Sequence, residues 1–185
     1  MLSLTVKKAM LDRLTGMFNP GRSEQVRNGP FTRDARQVRG VGAQIIWLAE
    51  GTKAKVCGEF GVDPGSVEIM LMRVSGGPPE VHRHHRAESL LKVLGAEHGF
   101  PDPSGGTLMG TPDEEDCALL SLRTHEAGEF VQVKPGVVHG FVSDQPDGLV
   151  AIGIQDPPIR RGETFDIEEF KLLRGSGRMA VQIAV

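Results

Sequence analysis

The residues of this 185-residue chain that could do chemistry together lie in two stretches. The first runs Gly76-Gly-Pro-Pro-Glu-Val-His82-Arg-His84-His-Arg-Ala-Glu88-Ser-Leu-Leu-Lys92-Val-Leu-Gly95. Side chains alternate along a β-strand, so histidines at i and i+2 share one face, and both imidazoles can reach one ion while His85 faces away. A carboxylate at Glu88, across a turn, can complete the set. By itself the segment reads equally well as a strand of surface histidines. The second stretch, Gly128-Glu-Phe-Val-Gln-Val-Lys134-Pro135-Gly136-Val-Val-His139-Gly-Phe141-Val-Ser143, is a strand, a Pro-Gly turn, and a histidine that opens another strand.

Together these stretches resemble the two motifs of the cupin superfamily. Gly76, His82, His84, Glu88 and Gly95 fill every place of the first motif. Gly128, Gly136 and His139 fill the second, with Lys134 where that motif has proline and Ser143 where it has asparagine. The two departures touch turn shape rather than ligation, and the resemblance covers Val67 to Gln155. It implies a small jelly-roll barrel, one ion held inside it by His82, His84, Glu88 and His139, and assembly as a homodimer.

Three imidazoles and one carboxylate suit a divalent ion of the iron(II), manganese, nickel, cobalt or zinc group, iron(II) being favoured here, and do not suit a soft thiolate metal. A chain this long can bury an adequate core without help, so a metal would serve function rather than rescue the fold. If Glu88 faces inward, alternation puts Lys92 on the same face, and these two are the candidate catalytic acid and base. Arg73, Phe141 and Gln155 are the candidate substrate-binding residues. For Arg73 the competing reading is a rim residue reaching solvent, and for Phe141 it is plain core packing. Gln44 and Trp47 are weaker candidates for the other wall, and His98 and His125 read as loop histidines. The chain has no tyrosine, which removes every mechanism that needs a phenol.

Stepping outward, these residues need strands to hold them. Short β-like runs occur at 43–49, 53–60, 67–74, 89–94, 118–123, 130–133, 137–142 and 150–155, separated by turns rich in Gly, Pro and Asp. Strand following turn without helical crossovers predicts an all-β, antiparallel jelly-roll barrel. Val6, Met10, Leu14, Met17 and Phe18 recur at helical spacing, predicting an N-terminal helix over 2–18. An extended arm bearing Arg22, Arg27, Arg33, Arg36 and Arg39 follows. Asp166 and Glu169 look like a capping box for a short C-terminal helix ending near Gly175, before a last strand over 179–185. The organisation expected is residues 1–41 as helix and arm, 42–156 as barrel, and 157–185 as a C-terminal helix and strand packed on it.

Composition narrows the function classes. A formal net charge of −3 offers no general attraction to nucleic acid or an acidic membrane, and the arginine arm lacks interleaved aromatics. Cys57 and Cys117 form neither a disulfide framework nor a metal knuckle. With no secretory or membrane-length apolar run, the expectation is a cytoplasmic protein whose partner is a small molecule. The leading functional expectation is a non-haem iron(II) oxygenase acting on a small oxygenated or anionic substrate. A redox-neutral isomerase, epimerase, lyase or cyclase stays open beside it, as does a non-catalytic small-ligand sensor.

Overall fold

The computed structural model describes residues 1–18, 30–37, 43–74, 76, 81–110, 117–159, 167–175 and 178–183. For 32–37, 117–119, 167–175 and 178–183 only the backbone is described. In chain order the elements are α1 (Leu4–Thr15), β1 (Phe31–Gln37), β2 (Ala43–Leu48), α2 (Glu50–Glu59), β3 (Glu68–Val74), β4 (Val81–His84), β5 (Glu88–Val93) and β6 (Gly106–Gly110). Then follow β7 (Cys117–Leu119), β8 (Ser121–Thr124), β9 (Phe130–Val133), β10 (Val138–Val142), β11 (Leu149–Asp156), β12 (Ile167–Gly175) and β13 (Arg178–Ile183). They form a six-stranded sheet in the order β1-β2-β3-β11-β5-β9 and a seven-stranded sheet in the order β7-β13-β12-β4-β10-β6-β8. Every strand pair is antiparallel, in keeping with the all-β expectation. No helix among the described residues is long and apolar enough to cross a membrane.

Alternation divides the six-stranded sheet into two apolar faces. Ile46, Leu48, Ile69, Leu71, Leu90, Val150, Ile152 and Ile154 point outward and are covered by Met10, Leu11 and Leu14 of α1 and Val56 and Cys57 of α2. Met70, Met72, Val74, Leu91, Val93, Leu149 and Ala151 point the other way, and Met109 and Phe141 from the seven-stranded sheet pack against them. That second cluster lies in the space between the sheets. Gly153 sits on the same inner face, where a Cβ would come within 2.6 Å of Leu91 Cδ2.

Helix α1 is fixed at its start by Ser3, whose hydroxyl accepts the Val6 N–H at 3.3 Å, and is held along its length by the apolar stripe. Lys7 belongs to that stripe and is fully buried. Its Nζ lies 2.6 Å from Glu88 Oε1 and 3.4 Å from Asp156 Oδ2. Glu88 and Asp156 are direct cross-strand partners on β5 and β11, so without Lys7 two carboxylates would face each other under the helix. The Leu2 N–H also donates to Asp156.

Two sequence expectations are corrected here. The run 53–60 lies mostly in helix α2, not in a strand: Lys53, Val56 and Cys57 are buried at helical spacing on one face. Burial also pushes the Cys57 thiol above its ordinary value, which suits an inert packing group. The expected C-terminal helix is strand β12, which pairs with β4 from Ile167 opposite His84 to Phe170 opposite Val81, and with β13 along its other edge. A capping signature was outweighed by the backbone hydrogen bonds that an open sheet edge offers. The expected final strand is seen as β13. The arm over 22–39 lies outside the described residues except for 30–37, as does Asp166.

Lys7→Ala would leave Glu88 and Asp156 opposed and partly desolvated, the situation in which a broken buried ion pair costs about 3–5 kcal/mol. A clear fall in the urea midpoint is expected, and an unchanged midpoint would refute this role for Lys7.

Candidate metal centre

Strand β4 lies between β10 and β12, and its register puts His82 directly opposite His139. His84, two residues on, repeats the same face. The sequence folds this way locally because Pro135-Gly136 turns the chain back into β10. Gly136 has φ +80°, a conformation that favours glycine, and its N–H donates to the His84 carbonyl at 2.8 Å. The result is one ring nitrogen from each of His82, His84 and His139, all within 4.8 Å of one another. Ring centroids are 4.9 Å apart for His82–His84, 4.4 Å for His82–His139 and 4.9 Å for His84–His139.

The three side chains fit a divalent cation. His139 is 1% exposed, and its Nδ1 faces the Val137 carbonyl at 3.0 Å. That contact assigns the proton to Nδ1 and leaves Nε2 as the lone-pair nitrogen. Burial lowers the His139 pKa to about 4, against a smaller opposing pull from Val137, so the ring is neutral near pH 7 and ready to ligate. Imidazole donors are matched to the first-row transition ions.

The remaining expected site residues divide between the two faces of the sheet. Glu88 is not brought to the three rings, which corrects the expected four-ligand set. It lies on the outer face of β5, its carboxylate taken by Lys7 and by Gln132 Nε2 at 3.1 Å. Lys92 does share the face of Glu88, as alternation required, but that face is the one under α1. Its Nζ lies 2.7 Å from Asp12 Oδ1 and 5.6 Å from the Phe130 ring centroid, so it does not serve as acid or base at the histidines. Arg73 also points outward, cross-strand from Val150 and Gln44, and is paired with Asp147, its Nε 2.9 Å from Oδ1. Phe141 faces inward, edge-on to His139 at 5.9 Å between centroids. Gln155 is on the inner face of β11 and buried, and Trp47 packs against the inner apolar cluster. His98 sits beside Phe18 on the helix side.

Some polar residues inside the molecule escaped the sequence reading. Ser89, the neighbour of Glu88, takes the inward direction on β5, with Leu91 and Val93. The run Ser89-Leu90-Leu91-Lys92-Val93-Leu94 is apolar on both faces, so its phase could not be read from alternation. His125, read from the sequence as a loop histidine, is buried: its Nε2 bonds Thr107 Oγ1, and its Nδ1 lies 3.1 Å from Glu129 Oε2. Thr107 is opposite Phe141 in the β6–β10 register. Burial pushes Glu129 up, but hydrogen bonds from His125 and the Glu126 N–H, with the Arg123 guanidinium, hold its carboxyl below the ordinary range. The signal for this cluster was the polar spacing Arg123-x-His125 ahead of Glu129, hidden by its turn-like context.

Replacing His84 or His139 by Ala should abolish stoichiometric metal, whereas Glu88→Gln should retain it, as elemental analysis of reconstituted protein will show. Loss of metal in Glu88→Gln at unchanged fold would restore Glu88 as a ligand. A second expectation concerns the metal-free protein. The folded pKa of His139 is below its unfolded value near 6.5, so between those values the unfolded chain binds more protons and stability falls as pH falls. The loss from pH 7 to about 4 is on the order of 3 kcal/mol and levels off below. Urea midpoints across that range should show this slope, and His139→Leu should flatten it.

No family model matches the chain, and no curated protein does. Among solved structures, KdgF from Halomonas sp. is similar over 70% of this chain and 94% of its own, with 16% identity and a TM-score of 0.46. The Streptomyces nucleoside dehydratase Pac13 is similar over 80% and 95% respectively, with 11% identity and a TM-score of 0.47. Hydroxypropylphosphonic acid epoxidase from S. wedmorenis is similar over 66% and 55%, with 16% identity and a TM-score of 0.42.

Proposed function

We propose that this protein is a metal-dependent enzyme acting on a small oxygenated or anionic substrate, with the ion held by His82, His84 and His139. The observation that carries this reading is the convergence of three ring nitrogens within 4.8 Å, on strands whose inner face is walled by Met70, Leu91, Val93, Met109 and Phe141. Iron(II) is the favoured ion, with manganese, nickel, cobalt and zinc as alternatives. Bound there, iron(II) would supply open coordination positions at which a small substrate and oxygen meet. The chain's own part is to keep His139 neutral by burial, to aim it through its bond to Val137, and to exclude water with the inner apolar wall.

The oxygenase reading leads over a redox-neutral one for a specific reason. The two side chains expected to move a proton in an isomerase, epimerase, lyase or cyclase, Glu88 and Lys92, are committed to Lys7 and Asp12 on the far face of β5. A non-catalytic sensor would share the metal site and would bind without turnover. The homodimer and the cytoplasmic setting stay part of the same proposal.

Protein purified without oxygen and loaded with iron(II) should consume oxygen when offered a panel of small acids, diketones and thiols. His84→Ala should abolish that uptake. Turnover under nitrogen with no uptake in air would sink the oxygenase reading in favour of redox-neutral catalysis.

A further inference from the structure

We infer that Ser89 and Gln155 form the substrate-recognition pair of the histidine site, and that the ligand they select is a small carboxylate that also carries a hydroxyl group. This inference rests on the metal reading above and gives its substrate a chemical class.

Among the described residues, Ser89 Oγ and Gln155 Oε1 are buried polar atoms with no hydrogen-bond partner. Their residues are 3% and 5% exposed, so bulk water does not readily satisfy them. They are also direct cross-strand partners, Gln155 opposite Ser89 in the β11–β5 register. Residues directly opposite share a face, and this face is the inner one, continued by Leu91 and Val93 on β5 and by Leu149 and Ala151 on β11. Buried polar groups in proteins are nearly always bonded, so two orphans side by side on one face point to something that enters from outside.

The chain itself links the pair to the histidine strands. Ser89 follows His84 across the bend at 85–87 and is opposite Val133, while the turn after β9 returns Gly136 to the His84 carbonyl. Phe141, packed on the same inner cluster, is in turn against His139.

Charge and hydrogen-bond type then set the class. Among the residues whose side chains are described, no carboxylate joins the three rings, and Glu88 is held by Lys7. Neutral imidazoles leave a divalent ion's charge uncompensated, which favours an anionic oxygen ligand. Gln155 Oε1 is an acceptor and calls for a hydroxyl donor, and the Ser89 hydroxyl can donate to the oxygen of that same hydroxyl group. A compact 2-hydroxy carboxylate meets both demands.

The test uses cobalt(II)-loaded protein, with metal content by elemental analysis and ligand binding read from the visible cobalt spectrum under nitrogen. The probes are 2-hydroxypropanoate and propanoate. Wild type should bind the hydroxy acid more tightly, and Ser89→Ala and Gln155→Met should each weaken it by about tenfold while leaving propanoate binding nearly unchanged. Both variants should keep full metal and unfold at the same temperature as wild type or higher without ligand, because each removes an unsatisfied buried group. A role confined to packing would instead lower the melting temperature and leave the ratio of the two affinities alone. Stoichiometric cobalt with equal affinity for the two acids, or variants that leave the ratio unchanged, would overturn the recognition pair only. Failure of the wild type to take up cobalt would overturn the metal reading together with it.

Discussion

The ammonium group of Lys7 decides which way strand β5 faces. Buried under α1 and held 2.6 Å from Glu88 and 3.4 Å from Asp156, it fixes both carboxylates on the outer side of the six-stranded sheet. A strand cannot turn one residue without turning its neighbours. Once Glu88 is outward, Leu90 and Lys92 go with it, and Ser89, Leu91 and Val93 must face the histidines. The ion pair is therefore a statement about the site on the opposite face, although it touches none of it. Desolvating three charges is expensive, and the arrangement persists because the cation is shared by two carboxylates that register would otherwise set against each other.

The consequence for chemistry is electrostatic. A site of three imidazoles and a carboxylate would hold a divalent ion with part of its charge already cancelled. A site of three imidazoles leaves the full charge to be met by whatever binds next. The same strand phase also commits Glu88 to Lys7 on the outer face, while Ser89 and Gln155 on the inner face offer a hydroxyl and an amide that can orient a ligand.

Much of this was legible in the sequence, and the limits have physical causes. The i, i+2 spacing of His82 and His84 and the Pro-Gly turn ahead of His139 are local signals, and the structure converges those three rings. Strand phase after the bend at 85–87 is not local: Leu90 and Leu91 are equally apolar, since one meets the helices and the other the inner cluster, so alternation offers no vote. The cupin motif allows Glu88 as a ligand, and nothing near it in the chain announces that a lysine 81 positions earlier will claim it. The coupling of Lys92 to Glu88 was read correctly as a shared face, and only the identity of that face was missed. Strand β12 and helix α2 were missed for the complementary reason, tertiary pairing and burial overriding short local patterns.

The same alternation separates what stabilises the protein from what operates it. On the outer face, Leu90, Val150, Ile152 and Ile154 meet two helices and bury apolar surface on both sides, at roughly 1.5–3 kcal/mol per large side chain. On the inner face of the same sheet the chain places features that cost stability, the partnerless Ser89 hydroxyl and Gln155 amide oxygen. Such costs are tolerable in one sheet because each strand presents both faces, so every residue of destabilised inner wall is backed within one position by a residue of the outer core. Helix α1 is then more than an N-terminal attachment to a β protein. It completes the outer core that offsets the inner face, and through Lys7 it holds the strand phase on which that inner face depends.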